Sequence, residues 1–182
     1  MSGDASAGIS IDELNASDRQ TFVQIVGPVF EHSPWIAERT WPLRPFPTLE
    51  ALHQALERTV LSATEEEQLQ LIRAHPDLVG GAARAGMLTP ESNREQAAAG
   101  LGGLSAEEIA LFHGYNQAYR KHFGFPFVIC ARENQKEAIL AAFPIRLGHS
   151  VEEEISTALR EISRIAWLRL TDAIYTPPSG SA

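Results

Sequence analysis

The chain has 182 residues and a mass of 19.9 kDa, with 44% hydrophobic and 21% charged residues. That composition excludes wholesale disorder and suffices for one buried core. A formal net charge of −8 and a pI near 5.2 exclude a general nucleic-acid binder, which needs a basic face to displace phosphate counterions.

Residues 1–10 have neither the basic start nor the apolar core of a secretory signal, and are expected as a flexible tail. Residues 11–175 read as a single helical domain, and 176–182 as a second flexible tail. The expected helices run over 11–27, 34–40, 48–62, 65–74, 90–99, 106–123, 133–143 and 151–174. Apolar residues recur at helical spacing in them, as in Leu49, Leu52, Leu56 and Val60, or Ile155, Leu159, Ile162, Ala166 and Leu170. Their starts carry capping boxes, in which a hydroxyl caps the first turn and a glutamate three residues on reaches back. The pairs are Thr64/Glu67, Ser105/Glu108 and Ser150/Glu153. Thr89-Pro90 is a further start signal, and Gly124 stands where a helix C-terminal glycine belongs. Phe125 to Cys130 alone looks extended; without a partner strand it reads as buried irregular backbone between two helices. The fold class is therefore all-α, a single-domain bundle of about eight helices. No apolar run approaches the 18 residues of a membrane span.

The breaks between helices carry the candidate chemistry. In Arg73-Ala-His-Pro-Asp-Leu-Val-Gly80 the proline disfavours helix at the residue before it, which forces His75 onto a non-helical corner. That imidazole is either a proton carrier or a helix-terminal histidine facing open carbonyls. Asp77 is expected as a turn residue for the following glycines. Ser92, Glu95 and Gln96 fall on one helix face, suited to a planar polar ligand or simply to solvent. Phe127, Val128, Ile129, Cys130 and Ala131 form an apolar stretch whose backbone groups need partners, supplied by a ligand or by the core. Cys130 is the single cysteine. An intrachain disulfide and a thiolate metal cluster are thereby excluded, and a reducing cytoplasm is the expected compartment. None of the six histidines forms a His-x-x-x-His pair, so no metal site is expected.

Taken together, His75-Pro-Asp-Leu, Ser92-Asn-Arg-Glu-Gln96 and Phe123-Gly-Phe-Pro-Phe-Val-Ile-Cys-Ala-Arg132 closely resemble the OHCU decarboxylases. These are the 2-oxo-4-hydroxy-4-carboxy-5-ureidoimidazoline decarboxylases of urate catabolism. The likeness extends from about Leu14 to Ile174 and includes Phe30-Glu-His-Ser-Pro-Trp35 and Ile165-Ala-Trp-Leu-Arg-Leu170. It implies an all-helical, cofactor-free and metal-free carboxy-lyase that converts OHCU to (S)-allantoin. His75 matches the catalytic histidine and Glu95 the second acid-base or positioning group. Pro76, Ser92, Asn93, Arg94, Glu95, Gln96 and Phe127 through Ala131 match the substrate-binding segments. Arg169 matches an arginine that reaches the site, with Arg146 as its competitor. The implied partners are the small-molecule substrate, a second copy in a homodimer, and a functional link to hydroxyisourate hydrolase; neither nucleic acid nor membrane is among them. Two other classes stay open on the residues alone. One is a hydrolase using His75 as base, the other a non-catalytic helical interaction module.

Overall fold

The computed structural model describes residues 8–175, apart from the side chains of residues 82 and 84. The expected tails fall outside that range except for residues 8–10. Helices account for nearly all regular structure, as the periodicity requires. In chain order they are α1 (Ile11–Ala16), α2 (Arg19–Val26), α3 (Trp35–Thr40), α4 (Leu49–Leu61), α5 (Glu65–Arg73), α6 (Gly81–Arg84), α7 (Pro90–Ala98), α8 (Ala106–Phe123), α9 (Lys136–Arg146) and α10 (Val151–Ala173). Short 3-10 turns occupy Gly27–Val29, Trp41–Leu43 and Ala131–Glu133.

Two differences from the sequence reading have local causes. The helix expected over 11–27 is two helices, because Ser17 leaves helical geometry and the Asp18 carboxylate caps a new start by accepting the Thr21 N–H at 2.8 Å. The helix expected over 133–143 begins at Lys136, after the Ala131–Glu133 turn, and passes through Pro144 to Arg146. Its final turn still closes by Leu147 N–H donating to Phe143 O at 2.9 Å. Ile9 and Ser10, expected in the tail, form β1 (Ile9–Ser10), which pairs in parallel with β2 (Ile174–Tyr175). The capping boxes at Ser105/Glu108 and Ser150/Glu153 form as expected.

The described chain packs as two compact units. The first holds what precedes Glu65 together with the chain from Ala166 on; the second is Glu65–Ile165. In the first, Leu14, Phe22, Val26, Ile36, Leu52 and Leu56 are fully buried, each contributing on the order of 1.5–3 kcal/mol by leaving water. Arg44 closes the end of α1 by donating to Asn15 O at 2.7 Å and Ser17 O at 2.9 Å, two carbonyls without helical partners.

The second unit is built on aromatic residues. Phe127 stacks on Phe143 at 3.9 Å between centroids, and Tyr119 meets Phe127 edge-on at 5.3 Å. Offset and edge contacts of this kind add about 0.5–1.5 kcal/mol to the burial itself. Among the described residues the Phe125–Cys130 stretch has no strand partner, as expected, and it is threaded through this aromatic core.

Candidate active site

His75 lies two residues beyond α5 and is 6% exposed. Its Nδ1 sits 2.9 Å from the Leu71 carbonyl oxygen. A carbonyl can only accept, so Nδ1 carries the hydrogen, and Nε2 is the ring nitrogen left for any acid-base role. The bland alternative for a helix-terminal histidine is thus partly met: the ring does hold a helix carbonyl, and that contact fixes its tautomer.

The corner beyond His75 is tied down at every turn. Asp77, expected as a turn residue, also receives both its oxygens' bonds from Arg120 Nε, at 3.0 and 2.9 Å. Asn116 Nδ2 donates to Leu78 O at 2.8 Å. Val79 has φ of +55°, a left-handed conformation that a β-branched residue rarely adopts, and its N–H donates to Gln96 Oε1 at 3.1 Å. At Gly80 a side chain would start 2.8 Å from Asp77 Cβ, so only glycine fits the turn. Asn116 and Arg120 escaped sequence reading because they lie 38 and 43 residues from their partners. One α8 face carries both, and their i,i+4 spacing is the only signal the sequence holds.

On α7, Thr89 caps the start, with Pro90 in the first turn. Ser92 and Gln96 are buried, at 5% and 7% exposure, and Glu95 is half-buried. The solvent reading therefore fails for Ser92 and Gln96, which are buried as Ala99 is, while Glu95 keeps part of its surface exposed. Asn93 and Arg94 are exposed, and Arg94 pairs with Glu91 at 3.5 Å. A cavity of about 280 Å³ opens beside α7, lined by Asn93 and Gln96 together with Val79, Ala97, Leu101 and Ile109 among others.

Phe127, Val128, Cys130 and Ala131 are buried and Ile129 is half-buried. The Cys130 N–H donates to Glu161 Oε2 at 2.8 Å, and the Cys130 carbonyl accepts from Asn134 Nδ2 at 2.9 Å. Of the amides in this stretch, that of Cys130 is committed to Glu161, a residue that sequence reasoning passed over. Burial first, then the negative Glu133, Glu161 and Glu95, push the Cys130 thiol up to about 11. At pH 8 only about one thiol in a thousand is then ionised. Iodoacetamide is accordingly expected to label Cys130 only after denaturation, a difference read by intact mass. Labelling of the folded chain within minutes would show an accessible thiolate instead.

The two arginines of the sequence reading are both held in ion pairs. Arg169, in the first unit, pairs with Glu31 at 2.9 Å; the two are 5% and 3% exposed. Arg146, in the second, pairs with Glu154. Among the described residues no three His, Cys, Asp or Glu side chains converge as a metal-holding group.

The second unit thus brings three of the marked segments together. Gln96 links the His75 corner to α7; α7 packs on the Ala131–Glu133 turn, and the Glu95 charge is felt at Cys130. A histidine whose Nδ1 is held by a helix carbonyl, on a corner tied through Gln96 to a carboxylate-bearing helix, is an arrangement that can serve acid-base chemistry on an all-helical scaffold. The OHCU decarboxylase family model matches residues 15–171. A 2-oxo-4-hydroxy-4-carboxy-5-ureidoimidazoline decarboxylase of Halalkalicoccus jeotgali is 41% identical over 173 residues, 95% of this chain and 96% of that one. Another, from Haloferax volcanii, is 42% identical over 164 residues, 90% of this chain and 95% of its own length. The crystal structure of (S)-allantoin synthase matches with a TM-score of 0.74 and 28% identity over 92% of this chain, which spans 54% of that protein. The chain belongs to the OHCU decarboxylase family.

Proposed function

We propose that this protein decarboxylates OHCU to (S)-allantoin, without a cofactor, in urate breakdown. The observation that carries the reading is the tie between the His75 corner, the Ser92–Gln96 face and the Phe127–Ala131 stretch through Gln96 and α7. In the reaction the bond from the ring carbon to the carboxylate breaks, and its electron pair moves into the neighbouring imine, whose nitrogen takes up a proton, as CO2 leaves. The hydroxyl on the same carbon gives up its proton and becomes the carbonyl. A proton then adds to the adjacent, ureido-bearing carbon from one face, which makes the product a single enantiomer.

His75 Nε2 is the proton carrier, since its tautomer is set by the Leu71 carbonyl and an imidazole exchanges protons near neutral pH. Glu95 orients the ureido edge. Pro76, Ser92 through Gln96 and Phe127 through Ala131 bind the ring, with backbone amides of the 127–131 stretch other than that of Cys130 meeting the delocalised charge as donors of fixed position. We also propose a cytoplasmic homodimer that acts on the product of hydroxyisourate hydrolase.

The test uses OHCU generated in place by urate oxidase and hydroxyisourate hydrolase. CO2 release with optically active allantoin is the expected result, unchanged by EDTA. Ammonia release or ring opening would make the protein a hydrolase, and neither would make it an interaction module. Loss of rate on EDTA, restored by one specific metal, would mean that the site uses ligands not identified in the second unit.

A further inference from the structure

One charged group deep in the second unit has no part in the proton chemistry. Arg146, at the end of α9, is 6% exposed, and Glu154, in the first turn of α10, is fully buried. Arg146 Nε donates to Glu154 Oε1 at 2.7 Å, and Arg146 Nη2 and the Tyr119 hydroxyl converge on the same oxygen. The other carboxylate oxygen lies 2.8 Å from His149 Nδ1. A pair this buried must offset the loss of water around two charges, and such pairs commonly stabilise no more than apolar residues of equal volume. Stability alone is a poor account of it.

Its geometry offers a better one. With two nitrogens held by Glu154, the third, Nη1, donates to the Val128 carbonyl at 2.7 Å. The guanidinium also lies 4.3 Å from the centroid of the Phe127 ring. Both contacts fall on the start of the Phe127–Ala131 stretch, while Glu161 and Asn134 hold its end. Phe127–Cys130 precedes the Ala131–Glu133 turn and belongs to no helix or strand, so it keeps one conformation chiefly through such discrete anchors. The planar guanidinium is the one side chain that can grip a carboxylate and a carbonyl at once in fixed directions.

We infer that Arg146, oriented by Glu154, is a positioning residue that fixes the Phe127–Ala131 backbone in the conformation that receives substrate. The inference rests on the function proposed above. It assigns Arg146 a place behind the binding stretch and not a contact with the reacting atoms.

The test compares wild type with Arg146→Lys, which keeps a cation for Glu154 and loses the forked geometry. Steady-state kinetics on OHCU are paired with amide hydrogen exchange read by mass spectrometry. The expected result is a KM raised about tenfold or more, a smaller change in kcat, and an acid limb of the pH–rate profile that does not move. Exchange should quicken within 127–131 and stay at the wild-type rate in α8. Wild-type KM and wild-type exchange in the folded variant would overturn the inference. If Arg146→Lys does not fold, the charge-neutral pair Arg146→Met with Glu154→Gln takes its place under the same criteria. If wild type itself releases no CO2 from OHCU, the proposed function fails and the exchange arm still decides. Faster exchange confined to 127–131 upholds the anchoring by Arg146, and unaltered exchange refutes it.

Discussion

Replacing His75 with asparagine is expected to lower enantioselective turnover by about 10²- to 10⁴-fold, the range of a positioned acid or base. The fold should survive. The asparagine amide can still donate to the Leu71 carbonyl that His75 Nδ1 now holds at 2.9 Å, and Pro76 keeps the corner out of the helix. OHCU decays unaided, so total allantoin is a poor readout and circular dichroism of the product is the informative one. Wild type should give optically active allantoin quickly; the variant should give a slow, nearly racemic product while still binding allantoin. Full-rate, single-enantiomer product from His75→Asn would remove this histidine from the mechanism.

Glu95→Gln is expected to reduce turnover on the order of 10²-fold. Glu95 is half-buried on the same helix face as buried Ser92 and Gln96, and its charge reaches Cys130. Glutamine keeps the length and the helix propensity of glutamate and removes only the charge. The melting temperature should hence barely change. Activity equal to wild type would place Glu95 among residues that shape the face without taking part in the reaction. A collapse of the melting transition would instead make its carboxylate a structural partner.

Much of this was legible in the sequence, for local reasons. Helix starts at Ser105 and Ser150 are written by capping boxes within four residues, and Gly124 ends α8 in the left-handed conformation that only glycine adopts freely. The His75 and Phe127–Ala131 segments were legible as interruptions of helical periodicity, the Ser92–Gln96 segment as one helix face, and all three jointly as a family likeness. What holds them was not. Glu161 reaches Cys130 across 31 residues, Arg120 reaches Asp77 across 43, and Arg146 reaches Val128 across 18. None of these spacings has a local signature, since tertiary folding alone makes the pairs neighbours. The break at Ser17-Asp18 was missed for the opposite reason. Asp18 with Thr21 is a readable cap, and the five polar residues from Ser17 to Thr21 are a local signal that the expected helix ran across.

The left-handed backbone at Val79 carries an evolutionary consequence. A β-branched residue at φ of +55° opposes its own preference by roughly 1–2 kcal/mol, and the Gln96 oxygen on its N–H helps to hold it there. Positions 79 and 96 are therefore epistatic. A change at Gln96 that drops the acceptor should be tolerated far better where residue 79 is glycine, which adopts that φ without strain. The reverse holds as well: glycine at 79 with Gln96 intact should relieve the strain yet loosen the chain that carries His75. Sequence drift through this corner is thus expected to pass by paired substitutions, and a double-mutant cycle on the two sites should show non-additive stabilities.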